Sequence, residues 1–130
     1  MIADTSFIID LMQNDPGAVT KAKSLEKAGS AISLSSPSIF ELYVGVTLSV
    51  RKEEERSRVL AVLSGLSLYS LDSESAILAG VIYGQKITRG RHADPIDSLI
   101  AGVAKRSGET VLTRNAKDFA GIEGLKTETY

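Results

Sequence analysis

The sequence predicts an α/β fold, with a short, mostly parallel sheet held between layers of helices. Short strand-like apolar runs alternate with longer segments of helical periodicity. Successive strands are separated by one or two helices, the spacing that parallel crossovers require. The chain has 130 residues, 43% of them apolar and 24% charged, which suits one domain with its own core. A single domain over residues 1–130 is expected.

The elements follow in order. Met1-Ile2-Ala3 reads as a first strand. Phe7, Ile8, Leu11 and Met12 recur at helical spacing after it, and Thr5 or Ser6 is placed to cap that helix. Asp15-Pro16 opens a second helix, whose apolar face is Ala18, Ala22, Leu25 and Ala28 and which Gly29 can end. Ala31 to Leu34 is a second strand. Ser36-Pro37 starts a third helix, with Ile39, Leu42, Tyr43, Val46 and Val50 at offsets 0, 3, 4, 7 and 11. The mixed charges of Arg51 to Arg58 read as the solvated start of a fourth helix running through Leu66.

Leu68 to Leu71 is a third strand. Asp72 or Ser73 caps a helix carrying Ala76, Ile77, Gly80, Val81 and Tyr83, and Ile87 to Ala93 reads as a loop. Asp94-Pro95 repeats the cap-plus-proline signal before Ile96, Leu99, Ile100, Val103 and Ala104. Gly108 ends that helix. Thr110 to Thr113 is a strand, and Lys126 to Thr129 is a further strand candidate.

Composition excludes several kinds of chemistry. With no cysteine there is no disulfide, thiolate zinc site, iron–sulfur cluster or thiol nucleophile. A lone histidine, His92, excludes a His-rich metal site. The formal net charge of −1 gives no gross attraction for nucleic acid, so any such contact needs a local basic patch. No apolar run is long enough to span a bilayer and no signal peptide is recognised, so a cytoplasmic protein is expected.

In a parallel sheet the carboxyl ends of the strands share one edge, and ligands bind there. Asp4 follows the first strand, Glu41 lies early in the helix after the second, and Asp97 lies in the first turn of the helix before the fourth. Asn115 and Asp118 follow the fourth strand. All five therefore converge on one edge. Two carboxylates about 5 Å apart repel by about 3 kcal/mol at an effective dielectric of about 20. A group of them must take up protons or hold a cation, and oxygen ligands alone suit Mg²⁺ or Mn²⁺. Such an ion can activate water and orient a phosphodiester. Each residue also has a local explanation. Ser38 and Glu41 fit a capping box, Asp97 complements a helix dipole, Asp118 suits a turn, and Asp4 suits a cap.

The chain resembles a PIN-domain ribonuclease, most closely the VapC-like toxins of toxin–antitoxin pairs. The matching segments are Ile2 to Ser6, Ser38 to Leu42, Asp97 to Ala104 and Val111 to Phe119. The resemblance implies a three-layer α/β/α sandwich and a Mg²⁺- or Mn²⁺-dependent site that hydrolyses RNA phosphodiesters. It puts the catalytic acids at Asp4, Glu41 and Asp97. The fourth metal position falls on Asn115, a departure from the all-acidic pattern, with Asp118 the alternative. Thr5, Ser6 and Thr113 resemble the family's supporting hydroxyls. Arg89, Arg91 and His92, just before Asp94, are candidates for RNA contacts. The resemblance also implies a small cognate antitoxin and a homodimer. A housekeeping RNA-processing nuclease, or a PIN-fold binding module with weakened chemistry, is the alternative.

Overall fold

The computed structural model describes residues 1–130. The strands are β1 (Ile2–Ala3), β2 (Ser33–Ser35), β3 (Ser67–Tyr69), β4 (Val111–Leu112) and β5 (Thr127–Glu128). The helices are α1 (Thr5–Met12), α2 (Pro16–Lys27), α3 (Ser36–Leu48), α4 (Lys52–Ser64), α5 (Ser73–Thr88) and α6 (Pro95–Ser107). A short 3-10 turn, Ala116–Phe119, was not foreseen. The sheet is parallel throughout, in the order β3-β2-β1-β4-β5.

Alternation along two-residue strands divides the core in two. Ala3 and Leu112 point into a cluster with Phe7, Ile8, Leu25, Leu34, Leu42 and Val59, beneath α1 to α4. Their neighbours Ile2 and Val111 point the other way, onto Ile82, Ile100, Val103 and Phe119 beneath α5 and α6. Burying each such aliphatic or aromatic side chain stabilises the fold by roughly 1.5–3 kcal/mol. The result is the three-layer α/β/α sandwich.

Several local expectations need correction. Asp4, not Thr5 or Ser6, caps α1, because its carboxylate accepts the Thr5 amide at 2.7 Å. There is no Ser38–Glu41 capping box, because α3 already begins at Ser36 and Ser35 is its cap residue. The helix ends at Leu48, leaving Val50 fully exposed in the turn to α4. Leu66 falls beyond the end of α4. The second and third strands start and end one or two residues from their expected bounds.

The largest difference is α5. It absorbs Ile87 and Thr88 from the expected loop, and it buries Ser75, Ala79, Ile82 and Lys86 while Ile77 and Val81 face outward. The cause lies in α6. Gly102 has no side chain, so α5 comes close enough that a Cβ there would meet the Ser75 carbonyl oxygen at 2.5 Å and the Ala79 Cβ at 2.8 Å. Small residues line this contact on both helices. Gly102→Ala would gain about 1 kcal/mol of helix propensity, but the backbone of α5 must move to admit the methyl group. We expect a net loss of about 1–2 kcal/mol in urea unfolding, because overpacking against a fixed backbone outweighs propensity.

Candidate active site

The strand order reverses between β1 and β4, and the crevice outside their carboxyl ends is where an open α/β sheet binds ligands. Asp4 leaves β1 at that point and Thr113 leaves β4. The Thr113 hydroxyl donates to Asp4 Oδ2 at 2.9 Å, across the reversal. Ser6 donates to the same oxygen at 3.0 Å, and the Thr5 amide occupies Oδ1. Asp4 is therefore buried with three donors fixing its carboxylate plane. Thr113 is fully buried, and its hydroxyl also accepts the Asn115 amide at 3.0 Å, tying the next turn to Asp4. Thr113→Val keeps the shape but removes both bonds. We expect cleavage to fall by about 10- to 100-fold, through the loss of roughly 1–3 kcal/mol of positioning, with the native circular dichroism spectrum kept and the melting temperature lowered by several degrees.

Glu41 reaches the site from the second turn of α3. Thr5 donates to its Oε1 at 2.6 Å, the bond that replaces the expected local cap. Burial pushes Glu41 above the usual carboxylate range, the Thr5 hydroxyl opposes this, and the charges of Asp4 and Asp94 add to the rise. A cleft of about 300 Å³ between α1, α3 and α4 has Glu41 in its lining, with Ile9, Met12, Leu42 and Val46 among its walls.

Asp97 lies in the first turn of α6, held by the Asp94 cap, whose carboxylate accepts the Ile96 and Asp97 amides. Its carboxyl is pushed up to about 7, first by burial and then by the charges of Asp4, Asp94, Asp118 and Glu41. Four acids from four parts of the chain thus act on one side chain. Asp94 belongs to this field although its sequence context shows only a cap. No three carboxylate or imidazole groups close into a ready-made ligand cage. The acids instead act on Asp97 without converging on one point.

A second network braces the same edge. Asp10 is buried, accepting from Tyr130 at 2.7 Å and pairing with Arg114 at 2.9 Å. Burial and then the Asp10 bond raise the Tyr130 hydroxyl above its ordinary range, and its ring sits edge-on to Phe7 at 4.9 Å. Arg114, between Thr113 and Asn115, is thereby anchored to α1. No sequence spacing reveals this contact, because it joins residues 104 apart. Arg91 and His92 line a cleft that includes Asp118, whereas Arg89 caps α5 and borders a smaller crevice on the other side of Lys86 and Arg91, which line both.

The sequence pattern of the PIN domain family matches residues 1–125. The chain belongs to the PIN-domain family. Within it, the ribonuclease VapC1 of Rickettsia felis is 36% identical over 137 aligned positions, covering 99% of this chain and 95% of that protein. The tRNA(fMet)-specific endonuclease VapC of Shigella flexneri is 28% identical, covering 98% and 95%. The crystal structure of VapBC2 from Rickettsia felis, bound to a fragment of promoter DNA, superposes with a TM-score of 0.89 at 25% identity, over 99% of this chain and 97% of that one. This PIN domain is thus of the VapC type along its whole length.

Proposed function

We propose that the protein is an endoribonuclease that hydrolyses RNA phosphodiesters with Mg²⁺ or Mn²⁺ at Asp4, Glu41 and Asp97, acting in the cytoplasm as the toxin of a toxin–antitoxin pair. The hydrolase class comes with the family, whose VapC relatives are ribonucleases and endonucleases. What supports the site is Asp4, fixed by the Thr113 hydroxyl across the sheet's reversal point, with the half-buried Asp97 lying in the field of Asp4 and three further carboxylates. Family members work with a divalent metal. The donor set here fits one, since its side chains offer only carboxylate and amide oxygens, and Mg²⁺ typically takes one or two carboxylates and completes its shell with water and phosphate.

When bound, the ion lowers the pKa of a water and offsets charge on the phosphate. Asp4 and Asp97 would hold it. Asp4 is fixed by Thr5, Ser6 and Thr113 and cannot rotate away. Glu41, oriented by Thr5, would help hold the ion or accept a proton during attack. Asp118 supplies the fourth negative charge, because it is among the acids that act on Asp97. Asn115, with its amide bound to Thr113, supplies a neutral oxygen.

A small antitoxin and a second copy of the chain are the proposed partners. Phe40, Val44 and Leu48 on α3 and Ile77 and Val81 on α5 are exposed apolar side chains available for them. No helix is long and apolar enough to cross a membrane. The test is cleavage of a panel of tRNA and rRNA by purified wild type and Asp97→Asn, with and without Mn²⁺. Metal-dependent cleavage by wild type that Asp97→Asn loses is expected. Equal cleavage by both proteins, or none by wild type, would refute the proposal.

A further inference from the structure

Lys86 is an anomaly in α5. It is only 7% exposed, near the end of a helix, yet its ammonium donates to a main-chain carbonyl, that of Asp118. None of Lys86, Arg91, His92 and Lys117 takes part in an ion pair with a carboxylate. These four line one cleft of about 400 Å³ with Asp118 and no apolar residue. Three fixed cations, Lys86, Arg91 and Lys117, face the single carboxylate of Asp118 here, so the cleft carries an excess of positive charge and its cations repel one another. An anion entering the cleft would offset that excess.

The cleft is also preformed. The Arg91 amide donates to the Lys86 carbonyl at 2.9 Å, closing the turn after α5, where Gly90 has a φ of +65°. The Arg91 guanidinium lies over Gly121, where a Cβ would stand 2.4 Å from Nη1. A turn already formed loses less entropy when the residues it carries bind a ligand. Asp118 is the shared wall, for it lines this cleft and also acts electrostatically on Asp97. The basic cleft therefore adjoins the acidic site. A chain of net charge −1 has no general attraction for a polyanion, so affinity must come from such a local group.

We propose that Lys86, Arg91, His92 and Lys117 form a subsite for an RNA backbone phosphate next to the one that is cleaved. This rests on the ribonuclease function proposed above. The subsite holds the strand while the acids work on its neighbour. Lys86 supplies a fixed charge from the floor, and Arg91 and Lys117 supply charges from the rim.

The test uses a fluorescent RNA stem-loop and the Asp97→Asn protein, which holds RNA without cutting it, in anisotropy titrations over a range of KCl at fixed Mg²⁺. Adding Arg91→Ala and Lys117→Ala, both exposed positions, should weaken binding about tenfold. It should also make the slope of log affinity against log salt shallower by about 0.7 for the phosphate released. Lys23→Ala with Lys27→Ala, a charge-matched pair on α2, should change neither. In the wild-type background the cleft variant should raise KM and leave kcat near its original value. Unchanged affinity and slope would overturn the subsite, even if wild type cleaves RNA normally. Loss of inorganic phosphate binding with RNA binding intact would also overturn it, by making the cleft a site for free anions. If wild type cuts no RNA but the cleft variant still binds it less tightly, the ribonuclease proposal fails and the cleft remains a site for an RNA backbone phosphate, with no cleaved neighbour.

Discussion

Asp4→Asn should lower RNA cleavage about a thousandfold while the protein stays folded. A metal-bound carboxylate at the reacting phosphate supports several kcal/mol of transition-state stabilisation, and about 1.4 kcal/mol corresponds to a tenfold change in rate. Asparagine replaces the carboxylate with an amide of nearly the same shape. Its oxygen can still accept the Thr5 amide, and asparagine caps a helix about as well as aspartate. The Ser6 and Thr113 hydroxyls, which donate to Oδ2, can rotate to accept from the new amide group instead. The substitution thus removes charge at the site and little else. Cleavage of a fluorogenic RNA with Mn²⁺ would measure the rate, and far-ultraviolet circular dichroism would confirm the fold. Full metal-dependent activity in the variant would remove Asp4 from the site.

What the sequence reveals here depends on how local the cause is. The frame of α6 is written within its own residues, from Asp94-Pro95 at one end to Gly108, with φ at +67°, at the other. Asp4, Glu41 and Asp97 could be placed at one edge because parallel topology alone brings strand ends together. Causes that lie across the fold were hidden. Glu41 has the spacing of a capping box with Ser38, but Thr5, far away in sequence, takes its oxygen. In α5 Ile77, Val81 and Ile87 point outward while Ile82 is buried, since the contact with Gly102 admits only small side chains such as Ser75 and Ala79. Periodicity weighted by size therefore selects the wrong face. Lys86 is a charged residue that sequence alone would leave in solvent, and the Asp118 carbonyl, which lies beyond α6 in the chain, accounts for its burial. Asp94 is a cap by every local sign and also one of the charges acting on Asp97.

The charge crowding at Asp97 has a thermodynamic consequence of its own. An unfolded aspartate titrates at about 3.9, whereas Asp97 in the fold is pushed up to about 7. Between those values the native state binds a proton that the unfolded state has already lost. Metal-free stability should therefore be fullest below about pH 4 as far as this group is concerned, fall as pH rises through the window, and reach its low plateau above 7. Asp97→Asn removes the ionisation, so the variant should lack this fall and melt higher than wild type at pH 8. The side chain is only about half-buried and solvent screens part of the repulsion, so the gain is about 1 kcal/mol, or about 4 °C in melting temperature. Mn²⁺ should raise the wild-type melting temperature at pH 8 more than at pH 5, because a cation gains most where the carboxylates are ionised, and should do much less for the variant. Scanning calorimetry across pH 5 to 8, with and without Mn²⁺, measures all of these differences. A variant that melts below wild type at pH 8, with the same pH slope, would show that Asp97 sits in no such field.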